Sequence, residues 1–322
     1  MHHRPPFQIV DAMKQQERQL FDRNPNQRQV SLLKDDFGID LAKERLPAIG
    51  AIAPWFGSAR LLGPAIGQLL EGANWVGVPF AGSMSELPYI RARTIVVNDL
   101  HKGVITLARV VSDETLGPKL YRRLRRHALH PDDLAESQTI CRMMEERAGC
   151  CDTLDEEMIL QWAEAMFVAS WLARSGSAGT KSEFDAKLSL RWAAGGGDSA
   201  VRFQNAIRSI NAWRRSLRRA TFSSIDAFAF LEKCKDLPQH AIYCDQPFPG
   251  GPGDKYKYHF TLQQTKRLSV ELLRFRQARV VSRFYDHPIV RDLYPESEWT
   301  WHHLSGRKQT NEAALEVLLV RN

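Results

Sequence analysis

The stretch WVGVPFAGSMSELPYIRARTIVVND, residues 75–99, contains two short apolar runs, WVGVPF and TIVVND, each closing on turn-forming or acidic residues. Buried parallel strands read this way, because both their faces are covered and polar residues collect at the edge of the sheet. Helix-length segments flank them: SARLLGPAIGQLLEG (58–72) before and LHKGVITLARVVSDE (100–114) after. The same texture returns in HAIYCD (240–245), ARVVSRFY (278–285) and LEVLLVRN (315–322), with the helix-like TLQQTKRLSVELLRF (261–275) between the first two. Strand and helix in alternation predict an α/β protein with a doubly wound sheet.

The middle of the chain reads differently. DEEMILQWAEAMFVASWLARS (155–175) and VRFQNAIRSINAWRRSLRRATF (201–222) have the apolar spacing of amphipathic helices, and GSAGTKSEF (176–184) and AAGGGDSA (193–200) read as loops. The expected organisation is an N-terminal arm over 1–45, an α/β domain over 46–112 and 220–322, and a mostly helical insertion over 113–219.

The 322 residues, 43% of them hydrophobic, suffice for a full core. No apolar run approaches the ~18 residues that span a bilayer, and the first residues lack the apolar centre of a secretory signal, so the expected location is the cytoplasm with no membrane partner. Cys141, Cys150, Cys151, Cys234 and Cys244 form no C-x-x-C pair, and with the scattered histidines they suggest no metal site. A net charge of +7 favours a polyanionic partner without identifying one.

In such a sheet the ligand crevice lies beyond the C-terminal strand ends. VPFAGSMSE (78–86) is one such end: Gly82 permits a positive φ and close approach of a ligand, and Ser83 and Ser85 are positioned to cap a following helix. Asp99, at the end of the next strand, suits a ribose diol or, equally, the N-cap of the helix beginning near His101.

Taken together, APWFGSARLL (53–62), VPFAGSMSE, VVNDL (96–100), IYCDQPFP (242–249) and the closing EVLLVRN (316–322) resemble, in order and spacing, the DNA adenine methylase family, over roughly residues 50–322. The resemblance implies a methyltransferase-type sheet with a target-recognition insertion and S-adenosylmethionine as cofactor. It implies that Trp55, Phe56, Gly57 and Arg60, with Pro79, Phe80, Ala81, Gly82 and Ser83, surround the cofactor's methionine part. Asp99 would hold the ribose, its neighbour Leu100 would line the cofactor site, and Asp226 in SSIDAF (223–228) would lie near the adenine. The chain departs from the family pattern at Val78, where an acid is usual, at Met84, where a second glycine is common, and at Arg60, which stands one place beyond the usual lysine.

The family's catalytic Asp-Pro-Pro-aromatic motif corresponds here to Asp245, Gln246, Pro247 and Phe248. Methylating an exocyclic amine requires its lone pair to leave conjugation with the ring. A carboxylate (Asp245) and a backbone carbonyl (Gln246) accepting its two N–H bonds encourage that geometry and stabilise charge on nitrogen. Phe248 would stack on the extruded base. Replacing the first proline by Gln246 removes a fixed φ and predicts a less rigid site. Read without the resemblance, the same residues are a strand ending in a turn, with Asp245 as a cap and Phe248 packed. Cys244, with no Pro-Cys motif anywhere in the chain, reads as a buried thiol.

Six arginines and no acid occur between Ser199 and Ile225. With Phe203, Ile207, Ile210 and Leu217 on the core side, Arg208, Arg214, Arg215, Arg218 and Arg219 form either a phosphate-tracking face or a solvated one. YRRLRRH (121–127) is a second basic segment. PGGPGDKYKYHF (249–260), with Lys255 and Lys257, reads as a mobile loop that closes over the base or contacts phosphates, or as an ordinary connection. The expected activity is methyl transfer to the exocyclic amine of a flipped-out adenine in double-stranded DNA by a monomer. The alternatives are a catalytically impaired nucleic-acid-binding module and an RNA adenine methyltransferase.

Overall fold

The computed structural model describes residues 50–150, 154–174, 176–190, 198–248, 253–307 and 313–322. The chain divides into two units, 1–45 and 46–322. The expected N-terminal arm lies outside the described residues, and the helical section belongs to the same unit as the sheet.

The described elements run, in chain order, α1 (Gly63–Leu69), β1 (Trp75–Val78), β2 (Thr94–Asn98), α2 (Lys102–Ser112), α3 (Leu116–Leu124), α4 (Pro131–Gly149), α5 (Glu156–Leu172) and α6 (Ser199–Leu217). They continue with β3 (Ala220–Ser223), α7 (Ala227–Lys233), β4 (His240–Cys244), α8 (Leu262–Leu273), β5 (Arg279–Tyr285), α9 (Pro288–Leu293), β6 (Thr300–Arg307) and β7 (Ala313–Arg321). One seven-stranded sheet has the order β3-β2-β1-β4-β5-β7-β6. Strands β1 to β5 are mutually parallel, and β7 runs antiparallel to both β5 and β6. The expected α/β class, a doubly wound sheet compatible with a methyltransferase-type fold, is what the chain adopts.

The order reverses between β1 and β4. From β1 the chain winds outward to β2 and β3, then returns to β4 and winds the other way. The connections leaving the two strands run to opposite sides there, which opens a crevice above their C-terminal ends. On one face of the sheet, Ile242, Cys244, Val280 and Phe284 pack with Phe228, Phe230 and Leu231 of α7 and Leu268 and Leu272 of α8. Ala241 and Tyr243, which alternate with Ile242 and Cys244 and so point to the opposite face, are buried as well. Burial on both faces accounts for the unbroken apolar runs.

Several readings change, and the helix expected over 201–222 ends at Leu217, with β3 soon following. Helix α5 was expected to be amphipathic, yet Trp162, Ala163, Ala165 to Trp171 and Leu172 are buried. It is the central helix of the inserted section, packed by α2 and α4, so apolar residues cover nearly its whole circumference. The segment after β1 is a single 3₁₀ turn, Leu87–Tyr89, without a side-chain cap. Ser83 therefore caps no helix there; its hydroxyl meets Ser58 Oγ at 2.7 Å.

Candidate functional site

The strand ends are clipped together by Asn98, a buried residue at the tip of β2. Its Nδ2 donates to the Pro79 carbonyl (3.1 Å) and the Ile225 carbonyl (2.9 Å), and its Oδ1 accepts from Ser223 Oγ (2.7 Å) and the Ile225 N–H (3.0 Å). One amide thus fixes the ends of β1, β2 and β3 relative to one another. Asp99 follows: Oδ2 accepts the Gly82 N–H and Oδ1 the His101 N–H, both at 2.8 Å. Burial raises the Asp99 pKa, opposed by those two N–H donors. His101, not Asp99, is the N-cap of α2.

Gly82 has φ +46°, and a Cβ there would come within 3.0 Å of the Trp55 indole. Trp55 in turn stands edge-on to His101 at 5.0 Å. Gly82→Val is expected to close this cradle and abolish binding of adenosine-type ligands; calorimetry on a variant with native circular dichroism checks it. The residue expected as a second glycine, Met84, is buried and keeps a left-handed backbone, φ +55°. An L side chain in that conformation costs roughly 1–2 kcal/mol.

These residues bound a cavity of about 860 Å³ including its open mouth. Trp55, Phe56, Gly57, Pro79, Phe80, Ala81, Gly82, Ser83, Asp99, Leu100, Asp226, Asp245 and Pro247 all line it. Asp226, expected near an adenine, also caps α7 through the Phe228 and Ala229 N–H groups. Arg60 is a correction: it lies outside the cavity, in a neighbouring groove with Trp171 and Tyr285, because the chain turns away after Ser58.

The segment 245–248 holds two further corrections. Phe248 is buried, its ring 4.3 Å from Tyr285 and beneath the Arg283 guanidinium at 5.3 Å. It is part of the core and does not line the cavity, so no stacking platform is presented by it. Gln246 does not loosen the loop. Its buried side chain donates to the Arg283 carbonyl (3.1 Å) and accepts from Ser282 Oγ (3.3 Å), tethering the turn to β5 in place of the fixed φ of a proline.

Asp245 reaches the cavity from the end of β4. Both its oxygens lie 3.1 Å from Arg283 Nη1. Arg283 is a buried hub that also donates to the Gly57 carbonyl (2.6 Å) and, through Nε and Nη2, to Glu316 Oε2 (2.9 and 2.8 Å). Burial pushes the Asp245 pKa up and the guanidinium beside it opposes the rise; the two carboxylates hold Arg283 firmly charged. Neither Arg283 nor Asn98 was singled out from sequence. An arginine inside an apolar strand was the available signal for the first, and an asparagine at a strand tip is too common to serve for the second.

The loop after the motif, from Gly253 onward, is docked down. Thr180 bridges Tyr256, the Lys257 N–H donates to Gly179 O (2.9 Å), and the Lys181 N–H donates to Lys255 O (3.1 Å). Gly57, φ +71°, admits the Tyr256 hydroxyl, which would lie 2.0 Å from any Cβ at that position. Lys257, expected to bind phosphate, instead joins Glu145 (2.5 Å) and Glu183 (2.8 Å), and Glu183 also accepts from His101 Nε2 (2.9 Å). His101, Glu145 and Glu183 have metal-ligand chemistry and proximity, but the Lys257 ammonium already bridges the two carboxylates.

Burial alone would raise the Glu183 pKa; His101 and Lys257 overcome it and lower it to about 2. A depressed carboxylate stabilises the fold above its unfolded pKa and loses that contribution as pH falls from about 4.5 to about 2. The loss corresponds to roughly 3 kcal/mol. Denaturant titrations across that window should show it in the native protein and a flatter profile in Glu183→Gln.

The arginines of α6 and of the turn after it lie away from the cavity. Helix α6 ends at Leu217 and β3 begins at Ala220, so the helix C-terminus lies at the N-terminal edge of the sheet, opposite the cavity. There Arg219 donates to the Ile90 carbonyl (2.9 Å), Arg214 reaches the Glu114 carbonyl (3.5 Å) and Arg218 pairs with the Glu114 carboxylate (3.5 Å). Arg208 and Arg215 are exposed along the helix. The cations beside the cavity mouth are different: Arg174, Lys181, Lys187 and Lys255, all exposed, line a groove that shares Phe56 with the cavity wall. No helix among the described residues is long and apolar enough to cross a membrane. In comparison with known proteins, no family model and no curated protein matches the chain.

Proposed function

We propose that the protein is an S-adenosylmethionine-dependent methyltransferase acting on the exocyclic amine of adenine in DNA. The observation that carries the reading is the convergence on one cavity of Asp226, Asp99, the Gly82 loop and Asp245, each from the C-terminal end of a different parallel strand. In strand order β3, β2, β1, β4 they offer, in turn, an acceptor for an adenine, an acceptor for a ribose diol, a glycine cradle under Trp55, and a carboxylate at the far end. That sequence of groups fits a nucleoside carrying a short polar tail.

The bound donor supplies an electrophilic methyl group. Asp245 accepts one N–H of the target amine and stabilises the positive charge that grows on nitrogen as it attacks. The Gln246 carbonyl, in a turn tethered to β5, is the second acceptor. Arg283 fixes the carboxylate, and each carboxylate oxygen retains a lone pair for the amine. With Phe248 in the core, the rings left to hold a flipped base are those of the cavity wall, among them Phe56, Phe80, Tyr256, Tyr258 and Phe260. The groove of Arg174, Lys181, Lys187 and Lys255 supplies positive charge for the backbone beside the mouth.

A second reading, a methylase-like nucleic-acid-binding module without catalysis, is favoured by the Asp245–Arg283 ion pair and the buried Phe248. Incubation with the labelled donor and unmethylated genomic DNA, with RNA as a parallel substrate, separates the readings. Label in DNA supports the proposal, label in RNA alone moves the target, and donor binding without transfer favours the module.

A further inference from the structure

Glu86 belongs to no part of the catalytic scheme above, yet it occupies the cavity wall. It follows the Gly82 loop at the start of the 3₁₀ turn, is 3% exposed, and lines the same cavity as Asp99 and Asp245. Its Oε1 is buried and meets no donor. The charged and titratable groups that face it are Asp245 and Tyr243 from β4 and its end, and Arg283 from β5. Arg283 is already engaged by Asp245, Glu316 and the Gly57 carbonyl, so it leaves the Glu86 oxygen open. An open carboxyl oxygen in a desolvated wall is complementary to a cationic N–H donor on a ligand.

Position selects which part of the ligand. Asp226 and Asp99 stand at the ends of β3 and β2, whereas Glu86 sits on the β1–β4 side, near enough to Asp245 for the two carboxyls to influence each other. An adenosine held at the β3–β2 side directs its tail toward Glu86.

We propose that Glu86 binds the α-ammonium of the methyl donor's amino-acid tail, an inference that rests on the methyltransferase reading. Burial first, and Asp245 next among the charges, raise the Glu86 pKa to about 8, so at pH 7 the free protein holds it protonated. Pairing with an ammonium requires the carboxylate, and binding at pH 7 therefore releases a proton to solvent.

The test uses calorimetry with S-adenosylhomocysteine, which has the ammonium but no sulfonium, and 5′-methylthioadenosine, which lacks the amino-acid tail. Glu86→Gln is expected to weaken S-adenosylhomocysteine about tenfold or more while leaving 5′-methylthioadenosine within about twofold. Runs in two buffers of different ionisation enthalpy should show proton release on S-adenosylhomocysteine binding to the native protein and none in the variant. The 5′-methylthioadenosine titration also reports whether the variant is folded. Unchanged S-adenosylhomocysteine affinity, or equal losses for both ligands, overturns the role of Glu86 alone. A native protein that binds neither ligand overturns this inference together with the methyltransferase reading.

Discussion

Asp245→Asn is expected to slow methyl transfer by about 10³-fold, close to 4 kcal/mol in the barrier, while donor binding persists. The amide keeps the size of the carboxyl but loses its charge, and its NH₂ group turns a donor toward an amine that needs acceptors. The fold should survive, because Arg283 keeps two bonds to Glu316 and one to the Gly57 carbonyl. Donor affinity should survive too, because Asp99 and Asp226 stand on other strands. Single-turnover transfer and equilibrium binding on the same preparation check both halves. A loss confined to affinity would assign Asp245 to binding instead of chemistry.

The second large effect is on stability. Arg283→Met should destabilise the protein by about 3–5 kcal/mol, because it leaves the buried Glu316 carboxylate, and Asp245 at the cavity wall, with no counter-charge. The guanidinium is only 3% exposed, and the carboxylate of Glu316 is 9% exposed against 16% for Asp245, so most of the penalty falls on Glu316. The Gly57 carbonyl loses its donor as well. Urea denaturation should show a lower midpoint with an unchanged slope, and adding Glu316→Gln should recover part of the loss by removing one of the two stranded charges. A change below about 1 kcal/mol would mean that the triad is solvated.

The fold was legible where burial on two faces leaves its mark on composition. Runs such as TIVVN and RVVSRFY could belong only to covered strands, and their polar C-terminal ends pointed to the crevice. β3 was not legible, because its four residues continue directly from α6 with no turn signal between them. β6 was hidden for a related reason: WHHL carries neither a continuous apolar run nor a clear alternation.

The site was legible at the level of which residues gather, since strand ends converge by topology whatever their side chains do. It was not legible at the level of where each side chain points. Phe248 carries the same sequence signal whether its ring faces a cavity or the core, and the packing against Tyr285 and Arg283 decided the matter. The α6 arginines have the spacing of a binding face, but only the entry of α6 into β3 shows that their cluster lies at the wrong end of the sheet. Gln246 looked like a lost proline until its side chain was seen to bridge to β5. Glu86 had no sequence signal beyond being an acid near a glycine turn.

The most direct measurement of the central claim is mass spectrometry of nucleosides from unmethylated DNA incubated with S-adenosylmethionine and either the native protein or Asp245→Asn. The account predicts N6-methyladenine with the native protein and almost none with the variant. Equal yields from both proteins, or methylation confined to another base, would contradict it.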